Sequence, residues 1–189
     1  MTTRSPGYDP ADPLAPTVVR SRGRQAPDDP YRLGTLAKVY VIWLAGGSCD
    51  GCTVAMTGAT NPRIEQLLAG EIPGLPRLEL VHVDLAVESG EAFVANFVAA
   101  ERGELDAPYV LIWEGSVFDE PAAGAGFWGG LGTDPETGHQ VTGTEWLDRL
   151  APGAAAVIAV GTCAAWGGIP AAAGNPTGSG GLGEHLGAA

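Results

Sequence analysis

With 189 residues, the chain has the size of one domain. A hydrophobic fraction of 45% and a charged fraction of 17% predict a buried core, which argues against a disordered protein. The 22 acidic and 10 basic residues give a formal charge of −12, which repels nucleic acid and anionic lipid and excludes nucleic-acid binding as the expected function.

The chain begins with a segment, residues 1–35, that is rich in Pro, Asp, Arg and Gly and has no hydrophobic period. We predict an extended arm that becomes ordered only on a partner. It lacks the apolar segment of a secretory signal, and no apolar run of the chain approaches the ~20 residues that a membrane span needs. We therefore expect a cytoplasmic protein without a span of its own, whose association with the cytoplasmic membrane would run through partners.

Four short apolar runs follow the arm and predict β-strands. The first, residues 38–44, is β-branched, aromatic and apolar on both faces, which is typical of a buried parallel strand. It ends at a Gly-Gly-Ser turn that leads directly into a pair of cysteines. The other strands are predicted at residues 77–83, 108–113 and 155–160.

Helices are predicted between these strands, at residues 61–68, 90–102 and 144–150. The first has Asn61 as its N-cap and Pro62 at its first helical position. The second repeats phenylalanine and valine at a spacing of four residues, which places them on one helical face. Strands that alternate with helices predict an α/β domain built on a parallel sheet.

The stretch 114–143 is long, glycine-rich and without period. A loop of that length in a compact domain is usually functional or bound to a partner. Within it, the Phe-Trp-Gly-Gly segment at 127–130 predicts an anchor in a partner interface, with packing onto its own domain as the alternative.

Three cysteines carry the chemistry of the sequence. Cys49 and Cys52 follow the first predicted strand, and Cys163 follows the last. Parallel strands end at the same edge of a sheet, where ligands of open α/β proteins bind, so these thiols are expected to converge. Glycines beside them would let the backbone approach the sulfides of a small iron–sulfur cluster and donate N–H groups to it. The spacing thus predicts an iron–sulfur site.

Other roles for these cysteines remain open on spacing alone. A strand followed by C-x-x-C and a helix is also the signal of a thioredoxin-like dithiol oxidoreductase, although that role leaves Cys163 unexplained. Cys163 by itself could be a small buried residue. A structural zinc site needs four ligands, and the three histidines, His82, His139 and His185, show no paired spacing.

The sequence resembles the small subunit of nickel–iron hydrogenases. Four blocks occur in the order and approximate spacing of that family: Trp-Leu-Ala-Gly-Gly-Ser-Cys-Asp-Gly-Cys-Thr at 43–53, Trp-Glu-Gly-Ser at 113–116, Gly-Thr-Cys-Ala-Ala-Trp-Gly-Gly-Ile at 161–169 and Asn-Pro-Thr-Gly at 175–178. The Cys-Asp-Gly-Cys-Thr-Val-Ala-Met stretch at 49–56 is similar to the actinobacterial-type, high-affinity branch of uptake hydrogenases. The nearest family alternative is the related quinone-reductase subunit of respiratory complex I, which has the same fold and cluster loop.

The resemblance implies a flavodoxin-like open parallel sheet with helices on both faces, and a proximal 4Fe–4S cluster. By motif, Cys49, Cys52 and Cys163 are its ligands, and Glu114 is an acidic residue near it, unless it is an ordinary carboxylate at a strand end. The family implies an oxidoreductase acting on H2, whose nickel–iron centre and active site lie in a large partner subunit. Electrons would leave through the small subunit to a downstream acceptor protein or quinone.

The sequence departs from the family in its cluster ligands. The family's fourth proximal cysteine lies in a Gly-Cys-Pro motif beyond the Asn-Pro-Thr-Gly block, and the sequence stops at Ala189 before such a motif. We therefore expect an arm at 1–35 and a cluster-binding domain at 36–189 that is cut short before the fourth ligand and before the second, C-terminal cluster domain. Asp50 could instead supply an oxygen ligand, or could be a turn residue.

Overall fold

The computed structural model describes residues 36–82 and 91–187. A four-stranded parallel sheet forms the centre of this part of the chain. Its strands are β1 (Lys38–Ala45), β2 (Arg77–His82), β3 (Tyr109–Glu114) and β6 (Ala156–Val160). They lie in the order β2-β1-β3-β6. All four predicted strands are present, and their observed ends differ from the predicted ends by at most one residue. The predicted arm at 1–35 and Val83, the last residue of the second predicted strand, lie outside the described residues.

Helices flank this sheet. They are α1 (Gly51–Thr57), α2 (Ile64–Ala69), α3 (Glu91–Glu101), α4 (Gly143–Leu150), α5 (Gly161–Trp166) and α6 (Leu182–His185). Helix α4 is capped by the Thr142 hydroxyl, which accepts the N–H of Glu145. A parallel sheet flanked by helices confirms the predicted α/β fold.

One predicted helix start is wrong. Helix α2 begins at Ile64 rather than near Asn61, and its N-cap is Arg63, whose backbone is extended at φ −77° and ψ 150°. The Gln66 side chain accepts the Arg63 N–H at 3.0 Å. This bond satisfies the N–H of Arg63, which the Asn61 side chain was expected to accept. The helix therefore begins at Ile64, two residues after Pro62.

The core fills the space between one face of the sheet and helices α3 and α4. Tyr40, Ile42 and Leu44 of β1 point into it, because alternate residues of a strand share a face. Phe97 and Trp146 meet them from the helices, with ring centroids 5.2 Å apart in an edge-on arrangement. Burial of such side chains, at about 25 cal/mol per Å² of apolar area, is the main force that holds the cysteine-bearing sheet edge together.

The stretch after β3 is more regular than its sequence predicts. It contains a two-stranded antiparallel sheet of β4 (Gly130–Thr133) and β5 (Gln140–Thr142). Strand β4 contains two glycines and β5 has only three residues, so neither gives a period-2 signal, which is why the sequence predicts a loop. Within the described residues, no helix has the length and apolar character needed to cross a bilayer.

Candidate functional site

The three cysteines lie at the carboxyl-terminal edge of the sheet. Strand β1 runs into the loop that holds Cys49 and then into α1, whose second residue is Cys52. Strand β6 runs directly into α5, which carries Cys163. The register aligns the last residues of β1, β3 and β6 side by side, with Glu114 of β3 in the middle. Topology therefore brings the two cysteine motifs to one edge.

Close packing around Cys52 shows that these motifs meet. A Cβ added at Gly161, the first residue of α5, would overlap Cys52 Sγ. Gly161 has a φ of +86°, a conformation that glycine adopts at no steric cost. Burial raises the pKa of the Cys52 thiol, and the charges of Glu114, Cys49 and Cys163 raise that pKa further. Cys49 and Cys163 are thus both within electrostatic reach of the Cys52 thiol.

Glycines line the sulfurs of the other two cysteines as well. A Cβ at Gly168 would come within 2.5 Å of Cys163 Sγ, and one at Gly51 would lie 3.1 Å from Cys49 Sγ. Bare backbone beside each thiol leaves the space and the N–H donors that the sulfides of an iron–sulfur cluster require. The residues present therefore fit such a cluster, with Cys49, Cys52 and Cys163 as the thiolates that would hold it.

Glu114 lies beneath the C-x-x-C helix. Its side chain is 2% exposed, although it is ionisable. Oε1 accepts the Cys52 N–H at 2.9 Å, Oε2 accepts the Thr53 N–H at 3.1 Å, and the Thr53 hydroxyl also donates to Oε2. The structure thus places Glu114 against the backbone of the cysteine helix.

Backbone pairing ties the cysteine loop to the residues that follow β3. Gly47 and Ser116 form an antiparallel bridge, in which the Gly47 N–H donates to Ser116 O at 2.8 Å and the Ser116 N–H donates to Gly47 O at 3.3 Å. A Cβ at Gly47 would overlap Ser116 Oγ and the Phe118 ring. The glycine before the cysteines is therefore required by the close approach of the two loops.

The Asn-Pro-Thr-Gly block forms the third part of this assembly. Val117 and Gly180 form a second antiparallel bridge. The Asn175 side chain accepts the Ser179 N–H at 2.8 Å and donates to Ser179 O at 3.0 Å, and Ser179 Oγ contacts Ser116 Oγ at 3.1 Å. This block braces the loop beside the site, and it supplies no thiol or carboxylate to it.

Large apolar side chains are exposed next to the cysteines. Trp166, one helical turn after Cys163, is 81% exposed, and Ile169 is 88% exposed. Their position gives no periodic signal in the sequence, so they were not predicted as surface residues. The predicted anchor at 127–130 is also partly exposed, but the Trp128 indole N–H donates to Asp119 O at 3.2 Å and the Trp128 backbone N–H donates to Glu120. That tryptophan is thus held by its own domain.

The thiols of Cys49, Cys52 and Cys163 are all free. Across residues 36–82 and 91–187, no three His, Cys, Asp or Glu side chains are grouped as ligands of a single metal ion. An iron–sulfur cluster differs from a single ion, because its thiolates bind separate irons. Asp50 sits between the cysteines at φ 58°, and its side chain does not cap α1.

Residues 49–187 match the family described as NADH ubiquinone oxidoreductase, 20 kDa subunit. Curated relatives include the small subunit of the periplasmic [NiFeSe] hydrogenase of Desulfomicrobium baculatum, 37% identical over 75% of this chain and 43% of the relative. The hydrogenase-2 small chain of Escherichia coli K12 is 32% identical over 77% of this chain and 35% of the relative. The chain thus spans less than half the length of these relatives.

A solved structure supports the same grouping. The actinobacterial-type NiFe-hydrogenase from Ralstonia eutropha H16 superposes with a TM-score of 0.73 and 48% identity, covering 82% of this chain and 45% of that chain. The reduced Ni-Fe-Se hydrogenase from Desulfomicrobium baculatum superposes with a TM-score of 0.63 and 34% identity, covering 79% and 51%. The predicted resemblance to hydrogenase small subunits is confirmed.

Proposed function

Since this chain belongs to the family of the 20 kDa subunit of NADH ubiquinone oxidoreductase, and its relatives are hydrogenase small subunits, we propose that it is the electron-transfer small subunit of a nickel–iron hydrogenase. Its role is to relay single electrons from H2 oxidation in a large partner subunit. The 48% identity to an actinobacterial-type enzyme favours that branch of the hydrogenases.

The packing of Gly161 against Cys52 Sγ is the observation that carries this proposal. It brings the C-x-x-C helix and the Cys163 helix to one point, where only glycine leaves room beside the sulfur. A dithiol oxidoreductase needs the C-x-x-C pair alone, and gives no reason for a third cysteine at the same edge. A cluster uses all three.

Within this proposal, each residue has a defined task. Cys49, Cys52 and Cys163 hold a 4Fe–4S cluster, which supplies reversible one-electron transfer when bound. Gly161 and Gly168 keep the sulfurs accessible to the cluster and present main-chain N–H groups. The buried residues of β1 and β3 exclude water from one side of the site, which limits solvent access to the thiolates.

The fourth ligand of the cluster is Asp50 or a group outside the residues described. Asp50 qualifies by position, since it lies between Cys49 and Cys52 in the same turn. Replacing Asp50 with alanine separates the two sources. Loss of one iron of four, with a changed EPR spectrum, assigns the ligand to Asp50, and an unchanged cluster assigns it elsewhere.

The large subunit binds over the cysteine edge in this proposal. Electrons must pass between the nickel–iron centre and the cluster, so the partner has to cover the face on which the thiols lie. Trp166 and Ile169 are exposed there beside Cys163, and a large aromatic side chain next to a redox site suits a desolvated interface. Onward electron transfer goes to an acceptor protein or a quinone.

The family description favours a second candidate, a cluster-binding subunit of an NADH–ubiquinone oxidoreductase. The two candidates differ in electron source. A complex that reduces a viologen dye with H2 is a hydrogenase, whereas NADH-dependent quinone reduction without H2 oxidation supports the second candidate.

Cys163→Ser tests the cluster. The wild-type protein, purified anaerobically with its partner, should be brown and contain iron with acid-labile sulfide, and the variant should lose most of both. Cys163 does not belong to the C-x-x-C pair, so a dithiol oxidoreductase activity would survive the change. Unchanged iron in Cys163→Ser, or a colourless wild-type protein that reduces disulfides, contradicts the proposal.

A further inference from the structure

The Glu114 side chain makes the hydrogen bonds that a helix N-cap residue normally makes. The first N–H groups of a helix lack partners within the helix and are usually satisfied by the side chain of the residue before it. For α1 that residue is Asp50, which has a left-handed backbone conformation and makes no capping bond with its side chain. The Cys52 and Thr53 N–H groups bind Glu114 instead, a residue supplied by β3.

Both oxygens of Glu114 are engaged in these bonds. Oε1 accepts from Cys52, and Oε2 accepts from the Thr53 N–H and hydroxyl. The carboxylate therefore points at the backbone of the first turn, and its oxygens already have the donors that a ligand role would have to displace. Hydrogen bonds to a carboxylate are about twice as strong as those between neutral groups, so this is a firm attachment.

The attachment fixes the cysteine helix to the sheet. Glu114 is the last residue of β3 and lies in register with Ala45 and Val160, the ends of the two strands that lead to the cysteines. A bond from Glu114 to the main chain of Cys52 thus sets the height of that thiol above the sheet edge. It also places a buried negative charge beside the thiolates, where the low dielectric strengthens its effect.

We propose that Glu114 is a positioning residue, which anchors Cys52 through its main chain and biases the redox potential of the neighbouring cluster, and that it is not an iron ligand. The proposal rests on the proposed function for its redox part only. A fixed negative charge disfavours the addition of an electron, so Glu114 lowers the reduction potential of the cluster.

Glu114→Gln in the full-length protein with its partner tests this role. Glutamine keeps the shape and one acceptor oxygen but removes the charge and the second acceptor. We expect the full iron content, unchanged EPR g-values and a reduction potential shifted to more positive values. We also expect amide hydrogen exchange at Cys52 and Thr53 that is about tenfold faster, as the loss of a charge-assisted bond implies.

Glu65→Gln is the matched control, because Glu65 is exposed on α2 and its loss removes one charge from the surface. It should leave the potential and both exchange rates unchanged. Loss of iron with altered g-values in Glu114→Gln would make Glu114 a ligand and overturn the proposal. An unchanged potential and unchanged exchange would do the same, since they leave Glu114 without a positioning role.

Glu114→Asp provides a second variant in case Glu114→Gln does not assemble. Aspartate keeps the charge, but its side chain is one methylene too short to reach both N–H groups, so we expect faster exchange at Cys52 and Thr53 than in wild type, and equal exchange contradicts the anchoring role. A wild-type protein without a cluster would refute the proposed function, whereas exchange at Cys52 and Thr53 would still decide whether Glu114 anchors the helix.

Discussion

Gly161 packs directly against the sulfur of Cys52, so the turn after the last strand of the sheet touches the helix after the first. No side chain fits between them. This relationship makes the cysteine site sensitive to changes that leave every cysteine in place.

Gly161→Ala should prevent cluster binding. The new methyl group would overlap Cys52 Sγ, and the φ of +86° adds about 1–2 kcal/mol of backbone strain. Gly74→Ala is the control, because Gly74 has a φ of +83° with no atom within 4 Å of the added Cβ. Both variants should lose similar backbone stability, but only Gly161→Ala should lose iron. Equal iron in the two proteins would refute the steric role of Gly161.

Trp166→Ala should weaken binding of the large subunit. A tryptophan that is buried in an interface often contributes 2 kcal/mol or more, which corresponds to about 30-fold in affinity. The thermal stability of the free Trp166→Ala protein should equal that of wild type, because the Trp166 side chain is 81% exposed in this chain. Leu75→Ala, which changes an exposed leucine before β2, should leave the affinity unchanged. Affinity measured by surface plasmon resonance decides the matter, and an unaltered value in Trp166→Ala removes this side chain from the interface.

The interface role predicted for residues 127–130 can be tested in the same assay. Trp128 is bonded to its own domain through Asp119 and Glu120. Trp128→Ala removes the indole bond to Asp119 O and keeps the backbone bond to Glu120, so it should lower the stability of the free protein by about 1 kcal/mol. If it instead lowers affinity as much as Trp166→Ala at unchanged stability, then the segment is a partner anchor.

Tyr109→Phe should change how stability depends on alkaline pH. Burial, with the Glu101 charge as a smaller cause, raises the pKa of Tyr109 from 10.0 to about 12. The phenol therefore stabilises the folded state below pH 10, and this contribution is lost as the pH rises from 10 towards 12, by about 1.4 kcal/mol at pH 11.

Phenylalanine lacks this titration and also lacks the hydroxyl that donates to Leu150 O at 2.5 Å. The variant should be less stable than wild type by about 1 kcal/mol at pH 8, and the two should approach each other near pH 11. Urea unfolding followed by circular dichroism at both pH values measures this. Parallel pH curves would show that Tyr109 does not titrate in this range.

Arg149→Lys should destabilise the protein by about 1–2 kcal/mol. The Arg149 guanidinium binds both oxygens of Glu101, at 3.0 and 2.7 Å, donates to Asp134 at 3.0 Å and stacks 4.1 Å above the Trp146 ring. A lysine cannot make this set of contacts. Arg102→Lys, at an exposed ion pair with Glu136, should cost less than about 0.5 kcal/mol. Equal urea midpoints for the two variants would contradict this difference.

Most of the sheet could be predicted from the sequence, because buried parallel strands are continuous apolar runs and their ends mark where a ligand can bind. The runs at 38–44 and 108–113 correspond to β1 and β3. The hairpin of β4 and β5 could not be predicted, since β4 is rich in glycine and β5 has only three residues.

The cysteines of the site could be predicted from their place after strands, but their surroundings could not. Glu114 was assigned near the cluster by resemblance alone, and its bonds to Cys52 and Thr53 join elements far apart in the chain. Nothing local in the sequence encodes such a pairing. The exposure of Trp166 could not be predicted either, because a tryptophan in an apolar context is ordinarily buried.

The two antiparallel bridges, Gly47 with Ser116 and Val117 with Gly180, have a practical consequence for protein engineering. They join the loop after β1, the loop after β3 and the segment after the Asn-Pro-Thr-Gly block by backbone hydrogen bonds. The conformation of each of these three connections therefore depends on the other two. A cysteine loop transplanted alone into another α/β scaffold would lose the partner strand that shapes it. A module that keeps the geometry of the cysteine site would have to include residues 46–53, 114–118 and 175–181 together with α5.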